Sequence, residues 1–262
     1  MIIVDFDPVI ASIFGFQLHW YGLMYLFAFG SAYFLGMYRA KQAHSLLNQE
    51  QVSDLIFYAI LGAVIGGRLG YVLFYNLPAY VNDPLSILKV WQGGMSFHGG
   101  LLGVCTVFWW YGRSQQKTFF AVADFAAPLV PLGLGFGRLG NFINGELWGS
   151  PTNLPWAMIF PSGGNIPRHP SQLYEALLEG LLLFVIVWIY SAKPRATMRV
   201  SGLFLIAYGL FRFSIEFVRL PDQHIGYLWG NWLTMGHLLS LPMILFGLFL
   251  FLWKFKPTTQ NN

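Results

Sequence analysis

Seven stretches of roughly twenty mostly apolar residues recur along the chain, each long enough to carry a helix across the hydrocarbon core of a bilayer. They cover about 17–38, 53–75, 95–112, 119–142, 171–190, 200–218 and 233–253. The fourth is the hardest to delimit because Gly and Pro fill its second half, and segment 84–92 reads as a short re-entrant or surface piece. The chain has 262 residues, 56% of them apolar and only 10% charged. A soluble domain carries about a quarter charged residues, so the solvent for most of this surface is lipid. Ten Trp, thirteen Tyr and twenty-five Phe fit the same reading, since aromatic rings gather at lipid–water boundaries. The expected fold is an all-α integral membrane protein with about seven transmembrane helices. It forms one membrane-embedded domain over 1–262, with an outer-face loop at about 143–170.

Charge sets the expected orientation. One set of loops holds Arg39, Lys41, Arg113, Lys117, Lys193, Arg195, Arg199, Lys254 and Lys256, and the alternate set holds Lys89, Arg168 and Arg219. Basic loops stay cytoplasmic, which puts the N-terminus outside and the C-terminus inside. The net charge of +4 does not indicate nucleic acid, because the basic residues form no cluster. No basic run precedes the first apolar stretch, so the first helix is expected to remain as an anchor. The single cysteine, Cys105, leaves neither an intrachain disulfide nor a Cys-based metal site, and its apolar setting reads as packing. No cofactor and no metal are expected.

The three remaining arginines, Arg68, Arg138 and Arg212, fall within the spans. Each would cost about 3 kcal/mol facing lipid at mid-bilayer, so they are expected to face one another, a carboxylate or a water-filled cavity. All three lie in the outer half of their helices, as do His98, Glu175 and Glu179, and Glu216 lies near the end of the sixth; Asp124 is the exception, near an inner end. Tyr208, Arg212, Glu216 and Arg219 are spaced four, four and three, which puts them on one helical face. This pattern reads either as a ladder of satisfied charges or as a site; for the deeper Arg212 a site is favoured. Arg138, Asn141, Asn144 and Glu146 lie in the glycine-rich run Gly137 to Gly149. Guanidinium grips phosphate through two parallel hydrogen bonds, so an anionic headgroup fits this run better than a simple helix cap does. His98 is either a structural group or a base, since imidazole can accept a proton at neutral pH. Tyr21 is either an interfacial anchor or part of the same outer cluster.

Gly137 to Gly149 resembles the signature of the bacterial prolipoprotein diacylglyceryl transferases. The likeness continues, in order, through His19-Trp20-Tyr21-Gly22, Gly67-Arg68-Leu69-Gly70-Tyr71, Ser96-Phe97-His98-Gly99-Gly100, His169-Pro170-Ser171-Gln172-Leu173-Tyr174-Glu175, and Arg212-Phe213 through Glu216. The resemblance implies a seven-helix enzyme of the bacterial cytoplasmic membrane with its active site toward the outer face. It would move the diacylglyceryl group of phosphatidylglycerol onto the lipobox cysteine of prolipoprotein signal peptides, releasing glycerol phosphate, as the first step of lipoprotein maturation. The implied phosphatidylglycerol-binding arginine is Arg138, the second essential arginine Arg212. His98, Asn141, Glu146 and Tyr208 match further catalytic positions, and Tyr21, Asn144, Gly149 and Glu216 match substrate-binding ones. Which group takes the thiol proton stays open among His98, Tyr208 and a relay through Glu146. The competing class is a transporter or flippase for an anionic amphiphile, which also needs buried arginine and glycine-broken helices but distributes charge on both sides of a central site.

The charge bias makes a topological prediction. In a background without Cys105, single cysteines at Thr152 and Thr259 should label from opposite faces of intact cells. Labelling of both from one face would defeat the seven-helix arrangement.

Overall fold

The computed structural model describes residues 2–13, 15–221 and 226–253. Lys254, Lys256 and Thr259, which enter the topological argument, lie outside the described residues. Helices occupy every stretch expected to hold one: α1 Trp20–Ala40, α2 Gln49–Tyr75, a short α3 Leu77–Asn82, α4 Phe97–Ser114, α5 Phe119–Ala126, α6 Pro131–Ile143, α7 Ser171–Glu175, α8 Leu183–Ser191, α9 Arg199–Ile215 and α10 Met235–Leu252. By length and composition, the described helices long and apolar enough to cross a membrane are Gln49–Tyr75, Ser171–Ser191 and Met235–Leu252. A fourth is added if the pair α5–α6, bent by 47°, counts as one span. The bend falls at the 3-10 turn Ala127–Leu129, where Pro128 and Pro131 each remove a backbone donor. The fourth helix, expected near 119–142 with Gly and Pro filling its second half, is therefore broken in two.

Short strands supplement the helices, so the fold is mostly helical where an all-α one was expected. A hairpin of β2 (Val9–Ile13) and β3 (Phe16–His19) precedes α1. Within 143–170, expected as turns, β4 (Met158–Ile159) pairs in parallel with β1 (Ile2–Ile3) and antiparallel with β5 (Pro167–Arg168). Two-residue strands carry too little periodicity to be read from sequence.

The chain forms two compact units, residues 33–123, and residues 1–32 with 124–262. In the unit 33–123, α2 lies backbone to backbone on α4. Gly62, Gly66 and Gly70 recur every fourth residue on α2, and a Cβ added at Gly70 would stand 2.8 Å from the Gly99 Cα. Small residues at this spacing let helices approach in lipid, where no hydrophobic gain is available to drive them together. Arg68, on the same helix, is only 4% exposed, and its hydrogen-bond partners are backbone carbonyls rather than a carboxylate. Its guanidinium donates to the carbonyls of Ser86, Ile87, Lys89, Gly93 and Gly94. This arginine thus ties down 84–94, which folds as two 3-10 turns, Pro84–Leu88 and Val90–Gln92. Backbone carbonyls are invisible to a search for charged partners in sequence.

In the larger unit, α9 and α10 meet through Gly202, Gly209 and Gly247, and α6 meets the following π-helical turn at Gly135 and Gly180. Asp124, the carboxylate out of step with the others, caps α9. It accepts hydrogen bonds from the Met198 amide (2.7 Å), the Ser201 amide (2.8 Å) and the Ser201 hydroxyl (2.5 Å). A carboxylate there satisfies orphan amides and suits the positive end of the helix.

Candidate active site

The site is built where α6, α7 and α9 carry their charges to one place. Ser171–Ser191 is continuous but underwound in its middle by a π-helical segment, Ala176–Leu182, flanked by α7 and α8. Glu175 and Glu179 lie four residues apart across its start, both with side chains fully buried. π-Helical turns inside α-helices are common at functional sites. Three arginines surround Glu175. Arg138 of α6 brings Nε to 2.8 Å of Glu175 Oε2, Arg212 of α9 brings Nη1 to 3.8 Å, and Arg219 just beyond α9 brings Nη1 to 3.6 Å. Arg138 also lies 3.8 Å from Glu179, and Arg212 is paired with Glu216 one turn later. Arg138, Arg212 and Arg219 thus face Glu175, Glu179 and Glu216. When all six are ionised, their charges cancel.

That balance explains how so many charges can be buried. An isolated ion in such surroundings would cost several kcal/mol, and only dense opposite charge offsets it. It also leaves donor capacity. The buried Nη1 of Arg212 has no hydrogen-bond partner among the described residues. Tyr21 and Tyr208 both stand within electrostatic reach of Arg138. The Tyr21 ring lies over Gly140, where an added Cβ would come within 2.8 Å of it, and Tyr208 stacks on Phe204.

A second cluster follows directly along the chain. Asn141 and Asn144 each donate a side-chain amide hydrogen to Glu146 Oε1, at 2.9 and 3.3 Å. The chain then turns through Gly145 and Leu147, both with positive φ. It is fastened to the start of α7, where Gln172 donates to the Glu146 carbonyl (2.6 Å) and Ser171 to the Leu147 carbonyl (3.0 Å). Gly149 forms a bridge with Arg219 and donates its amide to the His169 carbonyl (2.9 Å). Its part is therefore in backbone packing: a Cβ at Gly149 would stand 2.5 Å from the Val218 carbonyl and 2.8 Å from the His169 Cβ. Just before α7, partial burial pushes the His169 imidazole below its usual range, and its Nδ1 lies 3.4 Å from the Tyr174 hydroxyl.

Of the residues singled out from sequence, Arg138, Arg212, Glu216, Tyr208 and Tyr21 belong to the cluster around Glu175 and Glu179. Asn141, Asn144 and Glu146 form the adjoining amide–carboxylate cluster. His98 belongs to the other unit, in the first turn of α4 behind its capping residue Ser96, with an exposed side chain. Arg219 and Glu175 were outside the expected site. Glu175 is the hub of the ion pairs, and its signal was present in its burial depth and in the run His169 to Glu175. Arg219 stood with Glu216 in the expected helical ladder, and its salt bridge runs to Glu175.

This constellation can be compared with known proteins. A profile of the family described as prolipoprotein diacylglyceryl transferase matches residues 8–253. The chain belongs to this family. It is 60% identical over 248 residues to a protein of Solidesulfovibrio magneticus named phosphatidylglycerol–prolipoprotein diacylglyceryl transferase, covering 94% of each chain. It is 55% identical over 250 residues to a Pseudomonas aeruginosa protein of the same name, covering 95% of this chain and 94% of that one. A Pseudomonas fluorescens protein, also so named, is 56% identical over 260 residues, with 98% and 96% covered.

The packing at Gly149 yields a paired prediction. Gly149→Ala should lower the melting temperature in detergent and displace Arg219, with activity falling at least about tenfold. Gly137→Ala, where an added Cβ meets nothing within 4 Å, should leave the melting temperature unchanged. Equal melting temperatures for the two variants would refute the backbone role assigned to Gly149.

Proposed function

We infer that this protein transfers the diacylglyceryl group from phosphatidylglycerol to the lipobox cysteine of prolipoproteins. The observation that carries the reading furthest is the six-charge cluster of a chain within this family, where two guanidiniums from different helices share one buried carboxylate. The cysteine sulfur attacks the glycerol carbon that bears the phosphate. A carbon–sulfur bond forms, the carbon–oxygen bond to phosphate breaks, and the electron pair leaves with the phosphate oxygen. Glycerol phosphate departs, and the thiol proton passes to a base. Negative charge therefore grows on phosphate in the transition state. Arg138 and Arg212, held in place by Glu175 and Glu216, meet it without reorganising.

Asn141, Asn144 and Glu146 orient the glycerol portion, with Glu146 fixed by two amides. Tyr21 lies over Gly140 on the approach to Arg138, Gly149 holds Arg219 in register, and Tyr208 stands beside the phosphate-binding arginine. His98 is proposed as the base, with Tyr208 and the Glu146 relay as its rivals. No cofactor is required by the chemistry. The protein crosses the bacterial cytoplasmic membrane seven times, with the 143–170 region outside and the C-terminus inside. The described helices at all seven apolar stretches and the loop charge bias support this. Outward crowding of the ionised groups favours a transferase over a flippase.

Transfer of label from radiolabelled phosphatidylglycerol to a lipobox peptide by the purified protein tests the activity directly. Arg138→Lys keeps the charge but loses the planar two-pronged grip. It should retain the fold and lose at least about a hundredfold in turnover, about 2.7 kcal/mol at 1.36 kcal/mol per decade. Near-normal turnover would reduce Arg138 to charge balance alone.

His98 is tested separately. As general base, His98→Gln should lower kcat by roughly two orders of magnitude or more, with little change in KM for phosphatidylglycerol. A loss of only a few fold would make His98 a positioning residue and pass the base role to Tyr208 or Glu146.

A further inference from the structure

Glu216 fastens Arg212, and what fastens Glu216 lies on the next helix. α10 opens at Thr234, whose hydroxyl donates to Glu216 Oε2 at 2.5 Å. Thr234 and His237 form a reciprocal cap. The Thr234 amide donates to His237 Nδ1 at 3.2 Å, and the His237 amide donates to Thr234 Oγ1 at 3.4 Å. Both residues are buried, His237 completely. Between them, Gly236 has no side chain where a Cβ would overlap the Glu216 carboxyl group. The carboxylate can therefore lie against the first turn of α10, where backbone amides favour negative charge. Phe213 and Phe217 of α9, each 4.7 Å away between ring centres, and Trp232 at 5.7 Å meet the imidazole edge to face and fix its orientation.

A threonine hydroxyl has one hydrogen to give. Nδ1 of His237 lies 3.0 Å from Thr234 Oγ1 and would compete for it. Because the Thr234 amide already supplies Nδ1 with a donor, the hydroxyl hydrogen is left for Glu216. We propose that His237 is a positioning residue for Arg212, acting through Thr234 and Glu216 to hold the guanidinium that meets the phosphate. Neither the sequence signature nor the salt bridges include it. The proposal rests on the transferase reading above and extends the site onto α10, which otherwise serves as a membrane anchor.

The test uses the full chain in detergent, with phosphatidylglycerol and a lipobox peptide, and compares His237→Leu, His237→Gln, Thr234→Val and the Thr234→Val/His237→Leu double variant. Glutamine can accept the same amide through Oε1; leucine cannot. We expect His237→Leu and Thr234→Val each to lower kcat about tenfold, the double variant to fall no further than the worse single, and His237→Gln to keep at least half the activity. Residues acting through one another give such non-additive losses. Losses that multiply in the double variant, wild-type turnover in His237→Leu, or a glutamine variant no better than leucine would each overturn the proposal. If His237→Leu fails to fold, as read by melting temperature, His237→Met replaces it under the same criteria. A wild-type protein that transfers no label would defeat the transferase reading and this inference together. Multiplying losses in an active enzyme defeat the inference alone.

Discussion

Everything at the site depends on one buried carboxylate. Glu175 is fully enclosed, and a single one of its oxygens lies within 3.8 Å of guanidinium nitrogens from Arg138, Arg212 and Arg219. Without it, three positive charges from α6, α9 and the chain beyond α9 would repel one another in a medium that screens poorly. With it they converge. Removing one partner from such a buried group costs about 3–5 kcal/mol, a large share of a domain's stability. The same arrangement that permits the burial leaves positive charge available for the phosphate of the proposed reaction.

Convergence of charge requires helices to come close, and in lipid there is little hydrophobic gain for that. Glycine supplies the alternative. Gly135 and Gly180 bring α6 against the π-helical segment that carries Glu179, and Gly202, Gly209 and Gly247 bring α10 against α9. At these contacts dispersion between backbones replaces the hydrophobic effect. The run Gly-Arg-Leu-Gly occurs twice, at 67–70 and 137–140, and does different work in each place. Around Arg68 it closes α2 on α4 and spends the guanidinium on five carbonyls; around Arg138 it opens room for Tyr21 and aims the guanidinium at Glu175. Identical tetrapeptides perform unlike work because their neighbours differ.

The region after α6 shows how a loop can be as ordered as the helices it joins. The 143–170 region was expected as loop, and the chain turns at Gly145 and Leu147. What holds them is remote in sequence: Ser171 and Gln172 bind the carbonyls of Leu147 and Glu146, and Val218 receives the Ser150 amide. Side-chain amides that bond to distant carbonyls leave no periodic trace, so the bracing was not legible beforehand, although the residues that need bracing were.

By itself the sequence determined the long apolar helices, the charges set within them, and the family, because apolar length, helical spacing and a long signature are local properties. It also named Arg138, Arg212, Glu216, Tyr208 and Tyr21. Only the tertiary structure decided which charge meets which. Glu175 became the hub, Arg219 joined it, Arg68 was satisfied by backbone, Gly149 became a packing contact, and Thr234 came to bond Glu216. Ion pairs and carbonyl contacts depend on atoms arriving within about 4 Å from segments far apart in the chain. Helical phase within one segment cannot supply that distance.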